Sequence, residues 1–359
     1  MGGCFWYNKR SIQFIFNKKY FQIFVLQKSD LKKKNMKYLT IGGAVQDVFF
    51  ETKEGVLVDN KRDLLRQKLV GFEYGAKVNI ENIDTQLGGG ASNAAVCLAR
   101  LGEKVATLVC LGKDRTAEVI LENFKQNKVA KNLIQVSKKN TGMSSIVVYG
   151  QKTKDHILFT YRGANEDLKF DLVKIKKFNP DFIYVSSLSG EKWISFFDKL
   201  LLYKKKNNKF LVWNPGNLQI GEGAGKIKKY LSETDVLIVN KDEAIELLVK
   251  EKKDIGPTIS IKKLLQYLAE FCPGIVVITA GQKGSFAFYQ DKFFEQSVAS
   301  VEKKDTTGVG DAFGSTFLWS LAQTDFDIQK SLKMASKNAA SVITKKGAQN
   351  GLLGSKKIK

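Results

Sequence analysis

The sequence predicts an α/β fold in which a mostly parallel central sheet carries helices on both faces. From Met36 onward, short apolar runs alternate with amphipathic stretches, a repetition that is typical of a parallel sheet covered on both sides. A second group of segments alternates polar and apolar residues with a period of two, which predicts a small antiparallel sheet beside the main one. The 359 residues, with 43% apolar content and four prolines, suit one large globular α/β domain or two smaller ones.

The elements follow in order along the chain. The candidate strands of the central sheet are Tyr38–Ile41, Val105–Leu111, Phe182–Val185, Phe210–Trp213, Val236–Val239 and Ile275–Thr279. The candidate helices between them are Ala91–Leu101, Ala117–Asn127, Glu191–Lys205 and Ile259–Phe271. The period-two segments are Val48–Val58, Gly75–Leu87, Ser144–Gly150 and His156–Tyr161, the last two joined by a predicted turn at residues 150–152. Because ligands bind beyond the carboxyl ends of parallel strands, we predict that the small sheet (about 48–58, 75–87 and 144–161) forms a lid over that edge.

Residues 1–35 differ from the rest of the chain. Ser11–Leu26 is rich in Phe and Ile, but it contains Asn17-Lys18-Lys19 and lacks a small-residue cleavage site, so it is a poor signal peptide. Met36-Lys37 then resembles a fresh start of a chain and leads into an apolar strand. We expect residues 1–35 to be a poorly ordered extension, or absent from the native protein, and the folded domain to span 36–355. A basic amphipathic anchor on a membrane surface is the alternative.

The net charge of +22 does not by itself predict a nucleic-acid partner. Only six of the 58 basic residues are Arg, whereas base readout and bidentate phosphate contacts favour Arg. A solvated, Lys-rich surface is therefore expected. No apolar run approaches the roughly 20 residues of a membrane-spanning helix, so we expect a cytoplasmic protein with no membrane partner. The cysteines show no CxxC pairing, and Cys97, Cys110 and Cys272 lie in apolar stretches, which predicts buried, reduced thiols.

The segment Asp305–Phe313 carries the strongest chemical signal. Gly308 and Gly310 precede a helical pattern that runs to Leu321, so backbone N–H groups can face an anion without an intervening Cβ. Asp311, at the start of that helix, can take a proton from a hydroxyl that attacks a phosphoryl group. An ordinary glycine-containing loop capped by Asp is the alternative for this segment alone. Far upstream, the glycine-rich segment Leu87–Ala95 opens another helix.

Together, Gly88-Gly89-Gly90-Ala91-Ser92-Asn93 and Asp305-Thr306-Thr307-Gly308-Val309-Gly310-Asp311 resemble the paired signatures of the PfkB carbohydrate kinase family, in the expected order and spacing. The resemblance runs from about Met36 to Leu353. It implies a ribokinase-like three-layer α/β/α fold and transfer of the γ-phosphoryl group of ATP to an alcohol of a sugar or sugar derivative. Asp311 would be the catalytic base, with Gly308 and Gly310 stabilising the transferring group. A nucleoside kinase on the same fold is the alternative.

The resemblance also implies roles for further residues. Those assigned to the acceptor are Asp47, Gly89, Gly90, Asn93 and Arg162. A structural salt bridge in the lid is the alternative for Arg162, and a homodimer through the lid is the expected assembly.

At the other end of the site, the resemblance implies positions for the nucleotide and the ions. The ATP positions are Asn240, Thr279, Gly281, Gly284, Asn338 and Gly347. Asn240 and Glu243 would organise Mg²⁺, phosphates and water, and a helix capping box is the alternative for this pair. Asp305 and Thr307 resemble ligands of a monovalent cation such as K⁺.

Overall fold

The computed structural model describes residues 36–59, 68–149, 156–252, 254–256 and 258–359. The predicted N-terminal extension, residues 1–35, lies outside the described residues, as does the turn predicted at 150–152. The strands, in chain order, are β1 (Lys37–Ile41), β2 (Val45–Thr52), β3 (Val56–Asp59), β4 (Lys68–Gly71), β5 (Asn82–Gly88), β6 (Lys104–Leu108), β7 (Cys110–Leu111), β8 (Gln135–Val136), β9 (Gly142–Tyr149), β10 (His156–Tyr161), β11 (Phe182–Val185), β12 (Phe210–Trp213), β13 (Val236–Asn240), β14 (Ile275–Thr279), β15 (Ser285–Tyr289) and β16 (Lys292–Gln296).

The helices separate the strands of the central sheet. Their bounds are α1 (Gly90–Arg100), α2 (Arg115–Gln126), α3 (Leu172–Phe178), α4 (Trp193–Lys206), α5 (Asn217–Ile220), α6 (Lys228–Leu231), α7 (Lys241–Leu248), α8 (Ile261–Ala269), α9 (Val309–Gln323), α10 (Ile328–Ile343) and α11 (Ser355–Ile358). Several begin where a short polar side chain accepts a hydrogen bond from the first turn, and these N-caps are Asp114, Asp171, Asn240, Ser260 and Asp327. None of the helices in the described part of the chain is long and apolar enough to cross a membrane.

Eight strands form the central sheet in the order β16-β15-β14-β13-β12-β11-β1-β6. Strands β14 to β6 run parallel to their neighbours, and β15 and β16 extend one edge in antiparallel pairing. Alternate residues of a strand project from opposite faces. Accordingly, Phe182 and Tyr184 of β11 pack in one core, while Ile183 and Val185 pack in the other. The sheet is therefore buried on both faces, as its continuous apolar strands predict.

The predicted lid is a four-stranded sheet in the order β10-β9-β2-β5. The pairs β10–β9 and β2–β5 are antiparallel, as expected, whereas the central pair β2–β9 is parallel. The predicted segment 48–58 contributes to two sheets, because β3 pairs with β4 in a separate ribbon. In the predicted segment 75–87, only the part from Asn82 onward is a strand.

The run predicted as one strand over Val105–Leu111 is also divided. β6 pairs with β1 in the central sheet, whereas Cys110 and Leu111 form β7 and pair with β8. Every residue from 105 to 111 is buried, so the apolar pattern alone gives no sign of the change of partner. The cysteines of the described chain, Cys97, Cys110 and Cys272, are buried free thiols, as predicted.

Candidate active site

The start of α9 lies at the centre of the candidate site. Gly308 is its N-cap, with φ 70° and ψ 4°, a left-handed conformation that favours glycine. A Cβ on Gly308 would overlap the Cβ of Ala348 and lie 2.8 Å from its Cα, whereas a Cβ on Gly310 would meet no atom within 4 Å. The first N–H groups of a helix lack intrahelical acceptors and carry partial positive charge. The open space at Gly310 is therefore suited to an anion.

Asp311 lies in this first turn and contacts the second glycine-rich segment. Its Oδ2 accepts a hydrogen bond of 2.9 Å from Nδ2 of Asn93, and a Cβ on Gly90 would lie 3.1 Å from its Oδ1. Burial raises the pKa of the Asp311 carboxyl, and the hydrogen bond from Asn93 opposes that rise. Residues 218 positions apart in the chain thus meet at one carboxylate.

Asp47 lies on the lid side of the same site. It is a buried residue of β2, paired with Ser144 of β9. Burial raises its pKa to about 6, a hydrogen bond with Ser144 opposes the rise, and the charge of Asp311 adds to it. Both carboxyls face the glycine-rich segment before α1, since a Cβ on Gly88 would meet Asp47 and a Cβ on Gly90 would lie 3.1 Å from Oδ1 of Asp311. The adjacent Gly88 must lack a side chain, because its Cβ would overlap Oδ2 of Asp47.

The other glycines predicted at the acceptor end permit close backbone approach. Gly89 has φ 91°, and a Cβ there would lie 2.5 Å from the carbonyl oxygen of Gly43. A Cβ on Gly90 would lie 2.7 Å from Cβ of Ser186, which follows β11. The loops after β1 and β11 therefore converge on the start of α1, next to Asp311. Ser186 was not predicted, although its position just after a buried parallel strand is the signal that indicates a site.

Arg162 lies at the end of β10, where the lid meets the main domain. Its guanidinium donates a hydrogen bond of 3.2 Å to Oγ of Ser189, and it forms no ion pair with the described residues. The nearby Asn165 is buried and holds the loop after β1 through both amide atoms: its Oδ1 accepts from the N–H of Ala44 at 3.1 Å, and its Nδ2 donates to the Ala44 carbonyl at 3.2 Å. Asn165 is thus an anchor between the lid and the first strand.

Asn240 and Glu243 form a capping box at the start of α7. Oδ1 of Asn240 accepts from the Glu243 N–H at 2.9 Å, and Oε2 of Glu243 accepts from the Asn240 N–H at 2.7 Å. Burial raises the pKa of Glu243, the Asn240 hydrogen bond opposes the rise, and the charges of Glu246, Asp242 and, least, Asp311 add to it. Within the described residues no cluster of three or more metal-ligating side chains is present. Mg²⁺ in phosphoryl-transfer sites is held mainly by phosphates, water and one or two carboxylates, so Glu243 fits such a role.

The predicted nucleotide positions divide into two groups. Thr279 ends β14, and Gly281 and Gly284, with φ of 54° and 96°, form the turn into β15. Across the site, Oδ2 of Asp305 accepts from the Gly347 N–H at 2.8 Å, while its Oδ1 accepts from the N–H and hydroxyl of Thr307 at 2.9 and 2.8 Å. Asp305 therefore ties the loop before α9 to the loop after α10.

Asn338, predicted to contact the nucleotide, lies on α10. Its side chain is fully buried within α10, and its amide contacts Oγ1 of Thr316, Sγ of Cys97 and the N–H of Leu353. These contacts use both ends of the amide inside the core, and the role of Asn338 beside the nucleotide stays a prediction.

Solved structures agree on the α/β fold with a mostly parallel central sheet and a small second sheet. Arabidopsis thaliana ribokinase complexed with ribose and ATP superposes with a TM-score of 0.73 at 20% identity, covering 90% of this chain and 97% of that one. Burkholderia thailandensis nucleoside kinase in complex with inosine gives 0.70 at 17% identity, covering 89% and 96%. The protein has the ribokinase fold, with the small lid sheet.

The family follows from the sequence comparisons. The family model described as pfkB family carbohydrate kinase matches residues 59–353. The ribokinase of Haemophilus influenzae is 28% identical over 275 residues, 76% of this chain and 86% of its own length. The 5-dehydro-2-deoxygluconokinase of Clostridium perfringens is 27% identical over 278 residues, 73% and 79% of the two chains. The chain belongs to the pfkB family of carbohydrate kinases, phosphotransferases that act on an alcohol group.

Proposed function

We propose that this kinase transfers the γ-phosphoryl group of ATP to a hydroxyl of a sugar or sugar derivative, with Asp311 as the base. The observation that carries the proposal is the position of Asp311. Its carboxylate lies in the first turn of α9, beside the unobstructed backbone at Gly310, and the segment Gly88–Gly90 contacts both Asp311 and Asp47. We infer a proton acceptor close to both an anion site and a group that can bind hydroxyls.

The chain's own residues supply the steps of the reaction. Asp47 accepts hydrogen bonds from acceptor hydroxyls, and Arg162 offers donors from the lid. Asp311 takes the proton of the attacking hydroxyl as the new O–P bond forms and the bond from the γ-phosphorus to the bridging oxygen breaks, releasing ADP. The N–H groups near Gly308 and Gly310 stabilise charge on the transferring group. Closure of the lid excludes water.

The proposed nucleotide site lies between the turn Gly281–Gly284 and the loop at Gly347, next to Thr279 and Asn240. Glu243 and Asn240 would hold Mg²⁺ through water, and the ion would neutralise phosphate charge. Asp305 and Thr307 are the proposed monovalent-cation residues. The Asp305 side chain already connects two loops by accepting from Thr307 and from the Gly347 N–H, so K⁺ there would tighten the loop that begins α9.

A coupled ADP-release assay tests the proposed function. MgATP would be supplied with a panel of sugars, sugar phosphates, sugar acids and nucleosides, with and without K⁺. We expect turnover with one sugar class. Turnover of adenosine or inosine without any turnover of free sugars would establish the nucleoside kinase alternative. Folded protein that binds ATP and phosphorylates none of the panel would contradict the proposed reaction.

A further inference from the structure

Four side-chain amides connect Asp311 in series to a surface arginine. Asn93 donates to Asp311, as described above. Its Oδ1 accepts from Nε2 of Gln349 at 3.0 Å, and Oε1 of Gln349 accepts from Nδ2 of Asn123 at 3.0 Å. Oδ1 of Asn123 accepts from Nδ2 of Asn127, also at 3.0 Å. We call this series the amide relay. Asn93 and Gln349 are both buried.

The direction of the amide relay is set at its outer end. The guanidinium of Arg100 donates to Oδ1 of Asn127 at 2.8 Å, and Arg can only donate. Nδ2 of Asn127 also donates to the backbone carbonyl of Asn123 at 2.9 Å, and a carbonyl can only accept. These two contacts fix which end of the Asn127 amide faces Asn123, and each later amide then has one orientation that satisfies both neighbours.

Gln349 holds a central place in this series. Its main chain is also held by Arg100, whose Nη1 donates to the backbone carbonyl of Gln349 at 2.5 Å, so its side chain joins the relay from a constrained position. Because the side-chain oxygen Oε1 of Gln349 accepts from Asn123, only the side-chain nitrogen Nε2, a donor, can face Asn93. Asn93 must then turn its own N–H toward Asp311, and a donor at that distance favours the ionised carboxylate.

We propose that Gln349 is a positioning residue: it orients the Asn93 amide so that nitrogen, not oxygen, faces Asp311, and thereby keeps the base ionised and in place. The inference rests on the proposed role of Asp311 as the base. A purely structural role for the amide relay, joining α1, α2 and the loop after α10, predicts a loss of stability without any effect on the protonation of Asp311.

The test is an NMR titration of protein labelled with ¹³C at the aspartate carboxyls, with Asp311→Asn identifying the signal. Gln349→Met keeps the volume and the neutral charge but removes the donor, so Asn93 can turn. We expect the pKa of Asp311 to rise by roughly half a unit to one unit, since a hydrogen bond to the charged form is lost. If Gln349→Met does not fold, Asn123→Leu on the more exposed helix α2 is the second variant. It removes the donor to Oε1 of Gln349, so the Gln349 amide can turn, and we expect the pKa of Asp311 to shift in the same direction.

Gln323→Met is the matched control. Gln323, at the end of α9, donates to Glu103 at 3.3 Å and lies outside the amide relay, so the titration of Asp311 should not change. An unchanged Asp311 titration in folded Gln349→Met, or an equal shift in the control, overturns the proposal. The titration needs no turnover, so absence of activity on every acceptor would contradict the proposed function and leave this measurement independent.

Discussion

At the scale of single residues, Asp311 experiences opposing influences. Burial raises its pKa, and the amide of Asn93 opposes that rise. A base needs both: a raised pKa increases its affinity for the proton of the hydroxyl, and a donor keeps it ionised before the reaction. Asn93, predicted to contact the acceptor, also donates to Asp311, so we infer that its amide helps to position the proposed base.

Asp311→Asn tests the assignment of the base. The amide has nearly the same shape but cannot take the proton, so kcat should fall by roughly 10²–10⁴-fold. The Kd for ATP, measured by calorimetry, should change little because the N–H groups of α9 are unaffected. Activity close to that of the wild type would remove Asp311 from the proposed role.

The pH dependence of acceptor binding reports on Asp47. Its pKa is raised from 3.8 to about 6, and the hydroxyls of an acceptor need the carboxylate as a hydrogen-bond acceptor. Affinity for the acceptor, measured by calorimetry, should therefore weaken as the pH falls through about 6. Asp47→Asn should bind more weakly at pH 7.5 and lose this step.

The same shift has a consequence for stability. Because the folded pKa lies above the unfolded value, the contribution of Asp47 to stability is present below about pH 4 and is lost as the pH rises through about 6. Thermal unfolding measures the difference between the Tm of Asp47→Asn and that of the wild type. We expect this difference to be more in favour of Asp47→Asn at pH 7.5 than at pH 4. The same Tm difference at both pH values would contradict the raised pKa.

Positions of single residues were predictable from the sequence only where the backbone conformation requires a particular residue type, such as glycine. Gly308 and Asp311 follow from the pattern of glycines before a helix. Asn338 lies on the buried stripe of α10, as its spacing from Ala335 and Val342 indicates. Gln349 left no local signal, because its partner Asn93 lies 256 positions away.

At the scale of elements, the start of α9 combines two glycines with different requirements. Gly308 needs a left-handed backbone and contacts Ala348, whereas Gly310 is helical and faces open space. The first is a requirement of folding, and we infer that the second is a requirement of anion binding. Adding one methyl group at each position tests the folding requirement and the anion-binding requirement separately.

Gly308→Ala and Gly310→Ala form a matched pair. Gly308→Ala should lower the free energy of unfolding by about 1–3 kcal/mol, because it adds strain at positive φ and an overlap. Gly310→Ala should leave stability unchanged or raise it by up to about 1 kcal/mol, yet weaken ATP binding by placing a methyl group in the anion site. Urea unfolding and calorimetry measure both. Equal ATP affinity in wild type and Gly310→Ala would argue against phosphate contact there.

The elements of the central sheet were the most predictable. Phe182–Val185, Phe210–Trp213 and Ile275–Thr279 have the predicted bounds, because strands buried on both faces read as uninterrupted apolar runs between polar turns. The division within Val105–Leu111 was missed for the same reason: a buried run shows where a strand lies but not which strand pairs with it.

At the scale of the whole molecule, the lid is connected to both ends of the site. Asn165 joins the lid to the loop after β1. On the other side, Lys346 forms ion pairs of 3.3 Å with Glu51 and Asp84 of the lid, one residue before Gly347. We infer that the position of the lid and that of the loop proposed to contact the nucleotide are coupled.

The outer strand of the lid also bears on the proposed homodimer. Strand β10 is the edge of the lid sheet, and its Leu158, Phe159 and Tyr161 are 54%, 60% and 48% exposed in the single chain. Exposed edge strands with large apolar side chains are normally covered by another chain. A second copy of this lid presents a matching edge, so we propose that two lids pair.

Phe159→Lys tests the pairing of the lids. Sedimentation equilibrium of the wild type should give twice the mass of one chain, and the charged side chain, which cannot be buried in an apolar interface without a partner, should reduce it to the mass of one. Val173→Lys is the matched control, since Val173 is 78% exposed on α3, outside the lid, and this variant should remain a dimer. A monomeric wild type, or a Phe159→Lys variant that stays dimeric, would exclude assembly through this edge. Because the lid also contributes Asp47, a true lid dimer further predicts that Phe159→Lys weakens acceptor binding more than ATP binding.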